Sequence, residues 1–228
     1  MGDDRPDRGL LGRLGGGVAD AMLALGSPVT YAPGDVVFRE GDADGHVVLL
    51  LRGAVKVRAI DQAGDPALLA VKSAGDLVGE MSALDGKPRS ATVIACGEVG
   101  ARLIRQFEFR MFLVDHVEVL VELFRDAADQ VRWANRLRQA VPRHAEPRIA
   151  LVLVHLVQRH GRSAPGGGWG LDLPLTNVEL ASIAGMKPRT AEKAFGGLRD
   201  AGVLVTGTRR VVHVPDLDRL KRIAAGHR

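Results

Sequence analysis

The chain has 228 residues, room for two ordinary domains, and its 46% hydrophobic and 25% charged composition is that of a soluble globular protein. Apolar runs such as Ile149–Val154 are far too short to span a bilayer, no apolar signal region opens the chain, and one cysteine, Cys96, excludes an intramolecular disulfide or a cysteine-ligated cluster, so a reducing cytoplasm is expected. The net charge of +4 hides a split: residues 131–228 hold 17 Lys+Arg against 7 Asp+Glu, the remainder 14 against 20, and a basic part following an acidic one points to nucleic acid.

Residues 1–17 are charged, glycine-rich and aperiodic, and read as a disordered tail. Val18–Leu25 is a short helix candidate. From Val29 the texture changes to brief β-like runs broken by glycine-containing turns: Asp35–Phe38, Val47–Leu51, Ala54–Ala59, Ala67–Val71, Ser90–Ala95 and Ala101–Ile104. In the third, Val55, Val57 and Ala59 alternate with Lys56 and Arg58, as a half-buried strand requires. Short strands with regular turn punctuation predict an antiparallel sandwich or roll over residues 18–111.

Inside that region, Gly79–Val93 (GEMSALDGKPRSATV) carries chemistry suited to a cyclic nucleotide. Gly79 lets backbone approach a phosphate with no Cβ in the way. A short helical turn after Glu80 would aim the amides of Met81 and Ser82 at the anion, because the first N–H groups of a helix lack internal partners. Arg89 offers a planar fork that matches two phosphate oxygens, Ser90 adds a hydroxyl, and Glu80 is an acceptor for a ribose hydroxyl. The alternative is a structural Glu80–Arg89 ion pair in a segment that binds nothing.

A long helix is expected from Phe112 to Val141. Leu113, Val117, Leu120, Phe124, Ala127, Val131 and Ala134 recur at alternating spacings of four and three, an a/d seam that argues for pairing with a second copy of the chain. The alternative is a helix packed on its own β-domain, and a second apolar edge (Val121, Ala128) leaves surface for both contacts. Pro142 ends this helix, making residues 112–146 a dimerisation helix and hinge. Pro147 would open the next helix, Arg148–Arg159, followed by a glycine-rich loop or ribbon at Gly161–Gly170.

Thr176-Asn177-Val178-Glu179 reads as a capping box at the start of a helix over Asn177–Ala184. Gly185 makes a turn, and Pro188 opens a second helix that ends by Gly202. Helix, glycine turn, helix is a helix-turn-helix, and Val203–Val205 with Val211–Val214 flank a wing at residues 206–210. Arg189 and Lys193 share a face of the second helix with Glu192 nearby; the arginine can pair bidentately with guanine, and the lysine can contact guanine or a phosphate. Thr176, Lys187, Pro188, Thr190, Arg209 and Arg210 complete the expected DNA surface, with Thr190 and both wing arginines suited to phosphate.

Gly79–Val93 resembles the phosphate-binding cassette of cyclic-nucleotide-binding domains, and the chain from Val29 onward resembles the Crp–Fnr family of bacterial transcription regulators. The resemblance implies an α+β fold: an antiparallel β-roll of the cyclic-nucleotide-binding type, a long dimerisation helix and a winged helix-turn-helix over 147–228. It further implies cAMP or cGMP as allosteric effector, no catalytic or metal site, and double-stranded DNA with a near-palindromic operator, a second copy of the chain and RNA polymerase as partners, with no membrane. Two departures stand out. Pro188 takes the place of a base-reading arginine common in the family, and Arg189 that of a glutamate. Trp133 and Ala134 replace a Thr-Ser pair that reads adenine in cAMP-responsive members, leaving Trp133 to stack on a purine or pack at an interface and Asn135 as the nearest amide for a base edge. The rival within the fold is a regulator whose cassette is empty or takes another anion. An enzyme under nucleotide control lacks any nucleophile–base or metal-ligand spacing, and a β-roll adaptor would show no salt-steep DNA binding.

Overall fold

The computed structural model describes residues 6–60, 64, 66–140, 144–206 and 212–227. The chain divides into two compact units, Met1–Asp129 and Gln130–Arg228. In the first, helices α1 (Gly9–Arg13) and α2 (Gly16–Ala24) precede strands β1 (Ser27–Tyr31), β2 (Val36–Phe38), β3 (Val47–Arg52), β4 (Ala54–Ile60), β5 (Pro66–Ser73) and β6 (Leu77–Val78). Then come α3 (Glu80–Asp85), β7 (Thr92–Ala95), β8 (Val99–Ile104), α4 (Gln106–Asp115) and α5 (Val117–Ala140), which continues into the second unit.

Two four-stranded antiparallel sheets, ordered β1-β8-β3-β6 and β2-β7-β4-β5, form the β-roll. Strand β3 sets the layering. Val48 and Leu50 join Phe38, Val55, Val93 and Val99 in one core cluster, whereas Val47 and Leu49 join Met22, Phe109, Phe112 and Val119 from the helices. Both faces of β3 are therefore buried, which is why its sequence is a continuous apolar run. Strands β1 and β6 were not among the expected runs: β1 is mostly exposed, and β6 is two residues long.

The expected disorder of residues 1–17 is corrected for residues 6–17. Leu10, Leu11 and Leu14 enter the helix-side core, and the Leu11 amide donates to the Gly75 carbonyl at 3.0 Å. Two leucines of α1 and a third just past its end, all buried, outweigh the glycine-rich composition around them.

The single helix expected from Phe112 is also corrected. Helix α4 ends at Asp115, His116 leaves helical geometry (φ −133°, ψ 70°), and α5 starts at Val117. The break lets Phe109, Phe112 and Leu113 of α4 and Val119 and Leu123 of α5 reach one core. Leu113 thus belongs to the core, and Val121 is exposed where a core edge was expected. The rest of the seam is bare: Val117, Leu120, Phe124 and Val131 are exposed, Phe124 to 74%.

The second unit contains α6 (Ala145–His160), β9 (Arg162–Ser163), β10 (Trp169–Leu171), α7 (Asn177–Ile183), α8 (Pro188–Asp200), β11 (Val205–Thr206), β12 (Val212–Val214) and α9 (Leu217–Ala225). Helix α6 packs on α8 and α9, burying Ile149, Leu153, Phe195, Leu198 and Leu220. It starts at Ala145, so Pro147 lies inside the first turn, where no helical donor is needed from it. The expected wing strands pair as β11 and β12, and β10 and β9 extend them into a four-stranded sheet. Helix α9 was unforeseen; Asp216 caps it, accepting from the Arg219 amide at 2.8 Å. Pro142 and Val141 lie outside the described residues.

Candidate functional site

The cassette begins where β6 hands over to α3. Gly79 sits in left-handed backbone (φ +88°), and a Cβ there would lie 2.5 Å from Arg89 Nη1 and 3.0 Å from the His46 carbonyl. Only glycine meets both conditions without strain. Helix α3 buries Ser82 and Ala83 and leaves Met81 exposed.

Arg89 is fully buried and held from every side. Its Nε donates to Asp44 Oδ1 at 2.7 Å, Nη1 to the Gly79 carbonyl at 2.9 Å and Nη2 to the His46 carbonyl at 2.6 Å. The guanidinium lies 4.1 Å from the centroid of the Phe38 ring, a cation–π contact. Its backbone pairs with the β2–β3 loop, the Arg89 amide on Asp42 and the Gly41 amide on Arg89. Ser90 is exposed beside it.

Asp44 is the residue that sequence reasoning missed. It takes Arg89 with one oxygen and His46 Nδ1 with the other, at 2.9 Å. The carboxylate on Arg89 is therefore Asp44, where the alternative sequence reading paired Arg89 with Glu80. The signal is the acidic stretch Gly41-Asp42-Ala43-Asp44-Gly45, in the loop between β2 and β3. Burial lowers the His46 pKa, with Asp44 opposing. Glu80 is partly buried, and desolvation raises its carboxyl above the usual range, offset by the Lys72 ammonium.

Trp133 and Asn135 belong to the second unit. Trp133 stacks on His155 of α6, ring centroids 3.8 Å apart, and Asn135 accepts from Arg138 at 3.2 Å. Trp133 thus packs on protein in this structure.

The helix-turn-helix forms as its residues dictate. Thr176 Oγ1 accepts from the Glu179 amide at 3.1 Å, and Glu179 Oε2 accepts from the Thr176 amide at 2.8 Å, closing the capping box. Gly185 takes φ +61° in the turn, and Arg148 of α6 donates to its carbonyl at 2.9 Å. Lys187 stands at the N-cap position of α8 without a side-chain cap, and Pro188 opens the helix. Ala191, Ala194, Phe195 and Leu198 face the core, which leaves Arg189, Thr190, Glu192 and Lys193 exposed together with Lys187 and Pro188. Arg209 and Arg210 lie outside the described residues.

A β-roll carrying a buried arginine behind a glycine turn, followed by a basic helix-turn-helix, defines the class of two-domain transcription regulators. Comparison with known proteins agrees. Residues 28–116 match the cyclic nucleotide-binding domain family, and residues 147–223 match the Crp-like helix-turn-helix domain family. The chain is 28% identical over 198 residues to a CRP-like cAMP-activated global transcriptional regulator of Mycobacterium tuberculosis, covering 86% of this chain and 88% of that one. It is 27% identical to the cyclic AMP receptor protein of Thermus thermophilus, over 91% of this chain and 92% of the other. Its fold matches the solved structure of FixK2 from Bradyrhizobium japonicum with a TM-score of 0.73 at 20% identity, covering 87% and 96% of the two chains. The chain belongs to the Crp–Fnr family of bacterial transcription regulators.

Proposed function

We propose that this regulator works as a homodimer whose affinity for a near-palindromic DNA operator is set by cAMP or cGMP bound in the β-roll. The observation that carries the reading is Arg89, a buried guanidinium fixed against the Gly79 carbonyl at the start of α3. Arg89 and Ser90 would take the phosphate, the α3 amides of Met81 and Ser82 would support it, and Glu80 would take the ribose hydroxyl. The relatives named as cAMP-responsive support the effector class; the base stays open between adenine and guanine.

The exposed seam of α5 supports a dimer, since a soluble monomer rarely leaves Phe and Val aligned in water. Two α8 helices would then enter major grooves one turn apart, about 34 Å. RNA polymerase is the expected protein partner, and the cytoplasm the expected compartment; no helix among the described residues is long and apolar enough to cross a membrane. The ligand acts through differential affinity for two dimer states. A hundredfold change in DNA affinity requires about 2.7 kcal/mol of coupling, within the roughly 1.5–3 kcal/mol of one charge-assisted hydrogen bond.

A second reading is favoured by Asp44. Its carboxylate already satisfies Arg89 Nε, so a cassette closed on itself would let the protein bind DNA with no nucleotide. Calorimetry with cAMP and cGMP, beside operator titrations with and without each, separates the two. Nucleotide binding lost in Arg89→Ala supports the first reading, and operator affinity indifferent to every cyclic nucleotide supports the second.

A further inference from the structure

Lysine is seldom buried unless paired, yet Lys72 is 7% exposed near the end of β5, seven residues before Gly79. Its Nζ lies 2.6 Å from Asp126 Oδ2 on α5, the helix that carries the exposed seam. Arg13 reaches the same carboxylate at 3.9 Å and places its Nε 2.9 Å from Glu122, one turn earlier on α5. Helix α1, which bears Arg13, is tied through the Leu11 amide to Gly75 in the turn that leads into the cassette. Glu80 in turn feels both partners of the pair: Lys72 favours its ionised form, and Asp126 opposes it. Lys72 is therefore buried against a carboxylate of the long helix, seven residues before the cassette opens, and its charge is felt at the cassette carboxylate Glu80.

We propose that Lys72 is a positioning residue that couples cassette occupancy to α5 by dividing its charge between Glu80 and Asp126. The proposal rests on the reading of Glu80 as acceptor for the ligand's hydroxyl. With the cassette open, Glu80 and Asp126 compete for the ammonium. A hydroxyl donor seated on Glu80 satisfies that carboxylate and excludes water, and attraction between Lys72 and Asp126 grows as the local dielectric falls. Helix α5 is then anchored at Asp126. The message leaves the sugar site along a side-chain pair and arrives within one turn of Phe124.

Hydrogen exchange of the full-length protein tests this in wild type, Lys72→Met, Lys72→Arg and the near-isosteric Asp126→Asn. Without nucleotide, Lys72→Met and Asp126→Asn are expected to speed amide exchange at least tenfold both at α5 residues 122–129 and at cassette residues 77–85, and Lys72→Arg to stay near wild type. With cAMP or cGMP, whichever binds, wild type should slow exchange in both segments. Lys72→Met should slow it only in the cassette, a loss of coupling that a merely structural lysine would not produce. Wild-type exchange in α5 of both Lys72→Met and Asp126→Asn would overturn the proposal, as would equal nucleotide-induced protection of α5 with and without Lys72. Absence of nucleotide binding to wild type by calorimetry would overturn the reading of the cassette, and the nucleotide-free comparison would still decide whether Lys72 joins cassette and helix.

Discussion

Trp133 lies flat on His155, ring centroids 3.8 Å apart and planes 5° from parallel. Burial, reinforced by the nearby cations Arg159, His160 and Arg136, lowers the His155 pKa to about 4. The folded protein therefore keeps this imidazole neutral over a range in which the unfolded chain protonates it. Between pH 6.5 and 4 the unfolded state binds the extra proton, so stability rises with pH across that window and is lost as pH falls through it. From pH 6.5 to 4.5 the loss from this group is about 2 kcal/mol. Urea titrations at the two pH values should show it in wild type, and His155→Phe should flatten the difference. Parallel losses in the two proteins would clear His155 of responsibility.

Asp44 already accepts from Arg89 Nε, the donor that a nucleotide phosphate would claim in the proposed site. Removing the carboxylate charge in Asp44→Asn should tighten cAMP or cGMP binding severalfold, since the ligand no longer displaces an ion pair. Arg89→Ala should weaken it at least thirtyfold and also destabilise the fold, because Asp44 and the Gly79 and His46 carbonyls lose their donor. Calorimetry on both variants, with melting curves alongside, separates binding from folding. Weaker binding by Asp44→Asn would mean that Asp44 steadies Arg89 for the ligand instead of competing with it.

Phe124 stands 74% exposed in the middle of the α5 seam, while Leu123 beside it is buried. A charge at 124 should leave the β-roll core intact and oppose pairing of two helices. Phe124→Asp is expected to sediment as a monomer, with a melting transition of the β-roll close to wild type and operator affinity reduced at least a hundredfold. A dimer that survives this change would place the seam elsewhere.

The parts of the fold that follow a simple period were legible in the chain. Six of the roll's strands, the capping box and the glycine turn between α7 and α8 each rest on local rules and formed where those rules put them, β1 and β6 excepted. Helix α1 was hidden because its leucines matter only against a core that the rest of the chain builds. The break at His116 was hidden because the apolar spacing continues across it, although Leu113 before it is buried and Val117 after it is exposed. In the cassette, Gly79 and Arg89 stand out by residue type, and the structure joins them by a hydrogen bond. Asp44 and Lys72 do not, since each acts through a partner far away in sequence, 45 residues for Asp44–Arg89 and 54 for Lys72–Asp126.

The reading helix makes the sharpest demand on DNA. Helix α8 turns Ala191, Ala194, Phe195 and Leu198 inward, so Arg189 and Lys193 lie together on its outer face near the amino end. That end enters the major groove in helix-turn-helix proteins. A guanidinium there pairs bidentately with guanine, whereas Pro188 offers no donor to a base. Arg189→Ala should cost about 1–3 kcal/mol on the preferred operator and relax the requirement at one base pair per half-site. Lys193→Ala separates two roles. If Lys193 meets phosphate, all sequences weaken alike and the slope of log affinity against log salt falls by about one per subunit. If it reads guanine, the loss concentrates at one position and the slope changes less. Selection of bound sequences from a random pool, run for wild type and both variants at two salt concentrations, distinguishes these outcomes. A wild-type preference that survives Arg189→Ala unchanged would remove Arg189 from base reading.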